Sequence, residues 1–454
     1  MVQNPIDVPR SRRSGVGRIF TWLMGIVSFG WLVSILFLIA YQMLVPPLAH
    51  RIILVRDIPL PSGLGNASPG QTDPLAPGKA MFFDHFDFQS IDPLTHLLFI
   101  AHSGPNPDSM TLAHTPFDPA TDGHILVFDL LQQKIVRRVA VPQVAGLVVA
   151  PDLHRVFAAD AQDNRIYSFD ETSPHPIFAQ LPANESPDAM SYDPVDHKIF
   201  VSDPGAPADV HVNMNIALNN QNIFVINALT TRVITHINFG NLPKLASENA
   251  PVIAHNLPKF GTDVGHNRYD EVLHRLYVVT QILPNANDLK ALLPPAGTAE
   301  FVTIDPVADR IIKRTVLPAS CSTPHGMNVD TQQHVAFIAC TDVDPSKSLL
   351  EHLLRINVQT LKVFPDDPNQ TRLATAPDIV QIDHPLHLVF VACNGGISVF
   401  DESPGNFHKL GNYIVGKGTH TIAVDEQAQL LYLPVPNLGG RPILHIVKYN
   451  PNGV

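Results

Sequence analysis

A seven-fold echo constrains this chain more than any other feature. Its clearest copy runs from Pro377 to Asp383 and resumes at Phe390-Val391-Ala392. An apolar run ends on Asp, and seven residues later an aromatic sits inside a second run. The pairs are Asp92/Phe99, Asp193/Phe200, Asp270/Tyr277, Asp330/Phe337, Asp383/Phe390 and Asp425/Tyr432, with Ala150/Phe157 as a seventh copy that lacks the Asp. Each copy reads as four short strands. In the copy around Asp193 these are residues 187–192, 198–202, 222–226 and 232–238. The third strand recurs too, ending as Phe128-Asp129, Phe169-Asp170, Ile304-Asp305 and Phe400-Asp401. Asp or Asn there bonds to its own backbone and starts a turn.

Successive aromatics lie 58, 43, 77, 60, 53 and 42 residues apart. The short gaps match a four-stranded propeller blade, and the long ones are blades with insertions. A lone blade cannot cover both faces, whereas a closed ring of blades has no open edge. The expected fold is all-β, a seven-bladed β-propeller of four-stranded blades at residues 51–451, rather than an open array or a sandwich. Blade seven runs out of chain after its third strand, and residues 51–58 offer a spare one. They are expected to close blade seven, with residues 59–78, rich in Pro and Gly, crossing to blade one.

Ahead of the propeller, residues 19–45 contain no charged side chain, which is long enough for a transmembrane helix and too long for a signal-peptide core. Arg10, Arg12, Arg13 and Arg18 precede it, so residues 1–18 form a basic cytoplasmic tail and the propeller lies outside the cell membrane. The remainder holds 26 basic and 40 acidic residues, a net charge of −14, which repels phosphate backbones and makes nucleic acid an unsuitable partner.

The segments around Pro377-Asp378, Cys321 to Met327 with Phe337-Ile338-Ala339-Cys340, and Asn267-Arg268-Tyr269-Asp270 resemble YVTN-type repeats. The extracytoplasmic part resembles the YVTN/YncE-like β-propeller family. That resemblance implies the fold and leaves activity open: relatives include surface-layer and periplasmic proteins, and similar propellers serve as lactonases and lyases.

The long insertions, at residues 103–123, 204–221, 240–262, 281–299 and 341–350, all fall on one face. The innermost strand of each blade starts at that face, five residues before the repeat Asp. Around the ring these positions read Asp87, Ala145, Asp188, Gly265, His325, Asp378 and His420, with His266 beside the gap at Gly265 and His85 two before Asp87. Asp87, Asp188, His266, His325, Asp378 and His420 are the candidate ligand site at the channel mouth. Asp87, Asp188, His325, Asp378 and His420 are the types that hold one divalent metal ion or exchange protons. The bland reading is a wet channel whose polar residues satisfy backbone groups.

The turn before Val335 sets Cys340 near Cys321, so a disulfide is expected there, with Cys393 left as a buried thiol. No phosphate loop, nucleophile elbow or zinc-protease motif occurs. Besides a purely structural protein, whose ring would tolerate substitution, two functions remain. One is a membrane-anchored module that binds a small molecule or an envelope protein through the insertion face. The other is a metal-dependent, lactonase-like hydrolase or lyase at the channel mouth.

Overall fold

The structure is a computed structural model and describes residues 51–61, 84–105, 123–161, 163–173, 176–182, 185–204, 222–239, 260–284, 299–341, 351–365, 367–438 and 441–450. Its compact unit, Ile53–Tyr449, is a propeller of seven four-stranded antiparallel sheets. Strands a of the seven blades are Asp84–Asp92, Val144–Ala150, Met190–Asp193, Phe260–Asp270, Thr323–Asp330, Pro377–Asp383 and Ala423–Asp425. Each touches strand a of the next blade, and the last returns to the first, so these strands wall a central channel. Strands b, c and d follow outward in chain order, except in blade seven, whose sheet runs Ala423–Asp425, Leu430–Leu438, Arg441–Tyr449 and then Ile52–Pro59. The strand before blade one therefore forms the outer edge of blade seven. His445 of the third strand pairs with Asp57 of the closing strand.

The repeat residues have distinct jobs. The aromatics Phe99, Phe157, Phe200, Tyr277, Phe337, Phe390 and Tyr432 are fully buried in strand b. Each excludes roughly 2–3 kcal/mol worth of apolar surface from water. The repeat Asp is a turn-former: the side chain of Asp193 accepts from the backbone N–H groups of Val195 and Asp196, and Asp270, Asp330 and Asp425 do the same in their own blades. Where Ala150 replaces it, a single 3-10 turn, Pro151–Leu153, makes the corner instead. Four residues after the Asp position, His96, His154, His197, His274, His334 and His387 all take positive φ, between 49° and 57°. Only a few residue types tolerate that left-handed backbone, His among them, so these His close turns.

Strand a departs from regular pairing near the mouth. Its register with strand b shifts across Phe86/Gln89, Val144/Leu147, Val264/Asn267, Pro324/Met327 and Pro377/Val380. Two residues in each of those blades thus bulge inward at the height of the mouth, and a bulge re-aims its side chains. In two blades strand a starts later than the sequence suggests: at Met190 rather than Pro187, and at Ala423 rather than Thr419. Pro187 has no N–H for the ladder, and the approach to His420 turns at Gly418, where φ is +83°.

Cys321 and Cys340 are joined in a disulfide with Cα atoms 4.9 Å apart. Cys340 pairs with Pro324, because the bulge takes up His325 and Gly326. Closing a loop of that length is worth about 3 kcal/mol. Changing both Cys to Ser should lower the urea midpoint accordingly. Cys393 is a buried free thiol, and burial pushes it up to about 12.

Among the described residues no helix is long and apolar enough to cross a membrane, and residues 1–18 and the apolar segment 19–45 lie outside them. So do most of residues 59–78 and of the five insertions.

Candidate functional site at the channel mouth

Four bulges bring the unusual side chains together. Asp378, almost fully buried, is their hub. Its Oδ1 lies 3.4 Å from His266 Nε2 and 3.4 Å from His325 Nε2. Its Oδ2 is paired with His420 Nε2 at 2.6 Å. Oδ1 accepts no hydrogen bond although it is buried. On the other side of His420, Asp87 Oδ1 stands 4.0 Å away, and His85 Nε2 is 4.0 Å from Asp87 Oδ2. The rings of His266 and His325 lie 4.9 Å apart, and the Phe88 ring lies 4.9 Å from that of His266.

Glycines allow the strands to close up. A Cβ on Gly326, next to His325, would lie 1.5 Å from the Asp378 carbonyl oxygen, and one on Gly146 would lie 1.8 Å from that of Asp188. Gly326→Ala is therefore expected to cost about 3 kcal/mol or more and to split His325 from Asp378. Denaturant unfolding reads the first effect.

The charges are strongly coupled. Burial pushes the Asp378 carboxyl up, but the charge and hydrogen bond of His420, then His325 and His266, outweigh it and hold the group well below the usual carboxylate range. Burial lowers His420, yet Asp378, aided by Asp87 and Asp188, raises it to about 9. Burial, partly offset by His420, raises Asp87 to about 6. Burial and then the charge of His420 depress His85 to about 4. Burial pushes His266 well below its ordinary value despite Asp378. At neutral pH the mouth thus holds a cationic His420, an anionic Asp378 and neutral imidazoles at His266 and His85.

Two sets of donor atoms converge: His266, His325 and Asp378, and Asp87, Asp378 and His420. His266, beside the gap at Gly265, joins the first set from the bulge between Val264 and Asn267. Asp188 enters neither set and acts on His420 through its charge.

Below the mouth, Arg268 donates from Nε to Asn328 Oδ1 at 3.2 Å and from Nη1 to the Asn267 carbonyl at 3.1 Å. Burial alone lowers it, to about 10, and no acidic neighbour contributes. Asn328 also lines a cavity of about 280 Å³ with Ser90, Gln381, His384 and Glu426. This lower channel was not singled out by the sequence.

No protein family and no curated protein matches the chain. Solved structures do. One from Kuenenia stuttgartiensis hydrazine synthase aligns with a TM-score of 0.58 and 12% identity, over 82% of this chain and 97% of the other. The β-propeller domain of Myceliophteria thermophila Cps50 (Swd1) aligns at 0.53 and 11%, over 82% and 98%. At such identities the likeness is one of fold. The class defined is a seven-bladed β-propeller, and the fold by itself leaves the activity open.

Proposed function

We propose that this chain is a membrane-anchored, extracytoplasmic propeller that binds a small ligand at its channel mouth through one divalent transition metal. His266, His325 and Asp378 would hold the ion, with Asp87 and His420 beside it. One observation carries the reading: a buried carboxylate oxygen, without a hydrogen bond, faces two imidazole nitrogens at 3.4 Å each. Ligands about 2.1 Å from a tetrahedral ion are separated by about 3.4 Å. Mixed imidazole and carboxylate donors suit zinc, iron or manganese more than calcium. The anchor rests on the uncharged segment 19–45 and the Arg residues before it. The YVTN/YncE-like kinship rests on the repeats quoted above.

Elemental mass spectrometry on the full chain, purified in detergent, tests the metal. Close to one ion per chain is expected, with none in His266→Ala/His325→Ala. An ion-free wild-type protein, after incubation with zinc, iron(II) and manganese(II), sinks the reading.

A second reading, a hydrolase or lyase, draws on the Asp87 carboxyl, raised to about 6 beside His85. A carboxylate so poised can take a proton near neutral pH, and a bound ion would polarise a carbonyl. Absence of turnover across a lactone panel with Ca²⁺, Mg²⁺, Zn²⁺ or Mn²⁺ disposes of it.

A further inference from the structure

The positions two before each repeat Asp, or its Ala150 equivalent, form a second ring beneath the mouth. It carries Ser90, Ser191, Asn328 and Gln381, two apolar residues and one cation, Arg268. The ring contains no carboxylate. Arg268 sits two residues along strand a from His266, or about 7 Å further into the channel. Its guanidinium is fixed from one side: Nε by Asn328, and Nη1 by the Asn267 carbonyl. Asn328 is itself held, donating from Nδ2 to the Val380 carbonyl at 3.0 Å. Asn267 is locked by Ser191, by Ser202 and by the Ala189 carbonyl. A guanidinium in this position is preorganised, and the partners of its Nε and Nη1 are neutral oxygens. A cation placed in a narrow channel without a counter-charge is costly. The same geometry makes it a receptor for an anion, since Arg recognises carboxylates by paired, charge-assisted hydrogen bonds.

We infer that the channel takes a small dicarboxylate, with one carboxylate seated on Arg268 and the other reaching the metal site above. This rests on the proposed function for its upper half and on Arg268 alone for its lower half. Asn328, the partner of Arg268 Nε, also lines a cavity of about 280 Å³ with Ser90, Gln381 and the paired His384 and Glu426. The spacing of the two anchors suits a four- or five-carbon chain. Arg268 then decides which molecules enter: neutral amides of the same shape lack its partner, and longer acids overrun the spacing.

The probe is succinate, titrated by calorimetry into the full, zinc-incubated chain in detergent, with succinamide and inorganic phosphate in parallel. Succinate should bind, succinamide should not, and phosphate should bind more weakly than succinate. Arg268→Gln should weaken succinate at least tenfold with metal content unchanged, and Arg268→Lys should recover part of the loss. Thermal unfolding of both variants checks that they fold. Equal binding of succinate and succinamide, undiminished binding by Arg268→Gln, or phosphate bound in place of succinate overturns the inference. The two proposals fail separately. A protein with metal but no Arg268-dependent succinate binding loses only the dicarboxylate. A protein without metal that still binds succinate through Arg268 loses the metal and keeps the anion seat, while one with neither loses both.

Discussion

Asp378→Asn is expected to abolish metal retention and to drop the His420 pKa from about 9 to below its ordinary value. Both effects trace to one carboxylate. Its Oδ1 is the oxygen shared by His266 and His325, and its Oδ2 holds His420 at 2.6 Å. An amide keeps the shape but presents one oxygen and no charge. Losing even an outer partner of a metal ligand costs about 10–100-fold in affinity, so losing this ligand should exceed a hundredfold. For His420 the sign is fixed by what remains. Burial lowers it, and Asp378 is the largest influence that raises it. Without that carboxylate the imidazole should be neutral at pH 7. The measurement is an NMR titration of the imidazole protons in the metal-free protein. The pair also contributes to stability. A His with a raised folded pKa stabilises fully below its unfolded value of 6.5 and loses that contribution as pH rises through about 9. In the Asn variant the stability curve between those values should flatten. An imidazole still titrating near 9 would show that His420 has another partner and that the hub is misassigned.

The parts of the molecule that are periodic were legible in the sequence. Asp at the a–b corner and a buried aromatic seven residues later recur because every blade needs the same turn and the same wedge of apolar surface. Counting back from that Asp finds Asp87, His325, Asp378 and His420. The count itself lands on Gly265 and not on its neighbour His266, because blade four carries its imidazole on the second of the two bulged residues, where the blades of Asp87, His325 and Asp378 use the first. The clue present was Gly265 next to a His, a position where a side chain would meet the His325 carbonyl at 3.0 Å. Arg268 was written in the repeat all along. Its meaning depends on six neighbours in other blades, and only the closed ring shows that none of them is acidic. The repeated Phe-Asp-Glu at Phe169-Asp170-Glu171 and Phe400-Asp401-Glu402 was read for its Asp alone. The Glu residues proved as unusual as the channel mouth.

Glu171→Gln and Glu402→Gln together should raise the melting temperature at pH 8 and leave it nearly unchanged at pH 4. The two Glu occupy equivalent places. Glu171 N–H donates to the His154 carbonyl and Glu402 N–H to the His387 carbonyl, each one residue after the Asp of strand c. Both side chains are buried against a repeat Asp of the preceding blade, Asp92 for Glu171 and Asp330 for Glu402. Burial first, and then that Asp, raise each carboxyl to about 8. Glu171 keeps one hydroxyl partner, Thr95, at 2.8 Å, whereas neither Glu402 oxygen has a hydrogen bond. Each Glu therefore holds a proton in the folded protein that it would release when unfolded at pH 7. A raised folded pKa means that stability is greatest below the unfolded value near 4.5 and falls as pH climbs to about 8. At 1.36 kcal/mol per unit the full shift would cost nearly 5 kcal/mol for each group, and about 2–4 kcal/mol is the realistic range after relaxation. Gln stays neutral, and at position 171 its amide can donate to Asp92 Oδ2, which is buried without a partner. The double variant should thus gain about 4–8 kcal/mol at pH 8, enough to displace the melting curve by several degrees. Scanning calorimetry between pH 4 and 9 decides it. Parallel curves for the two proteins would mean that the carboxyls ionise normally and that the blade interfaces tolerate the charge.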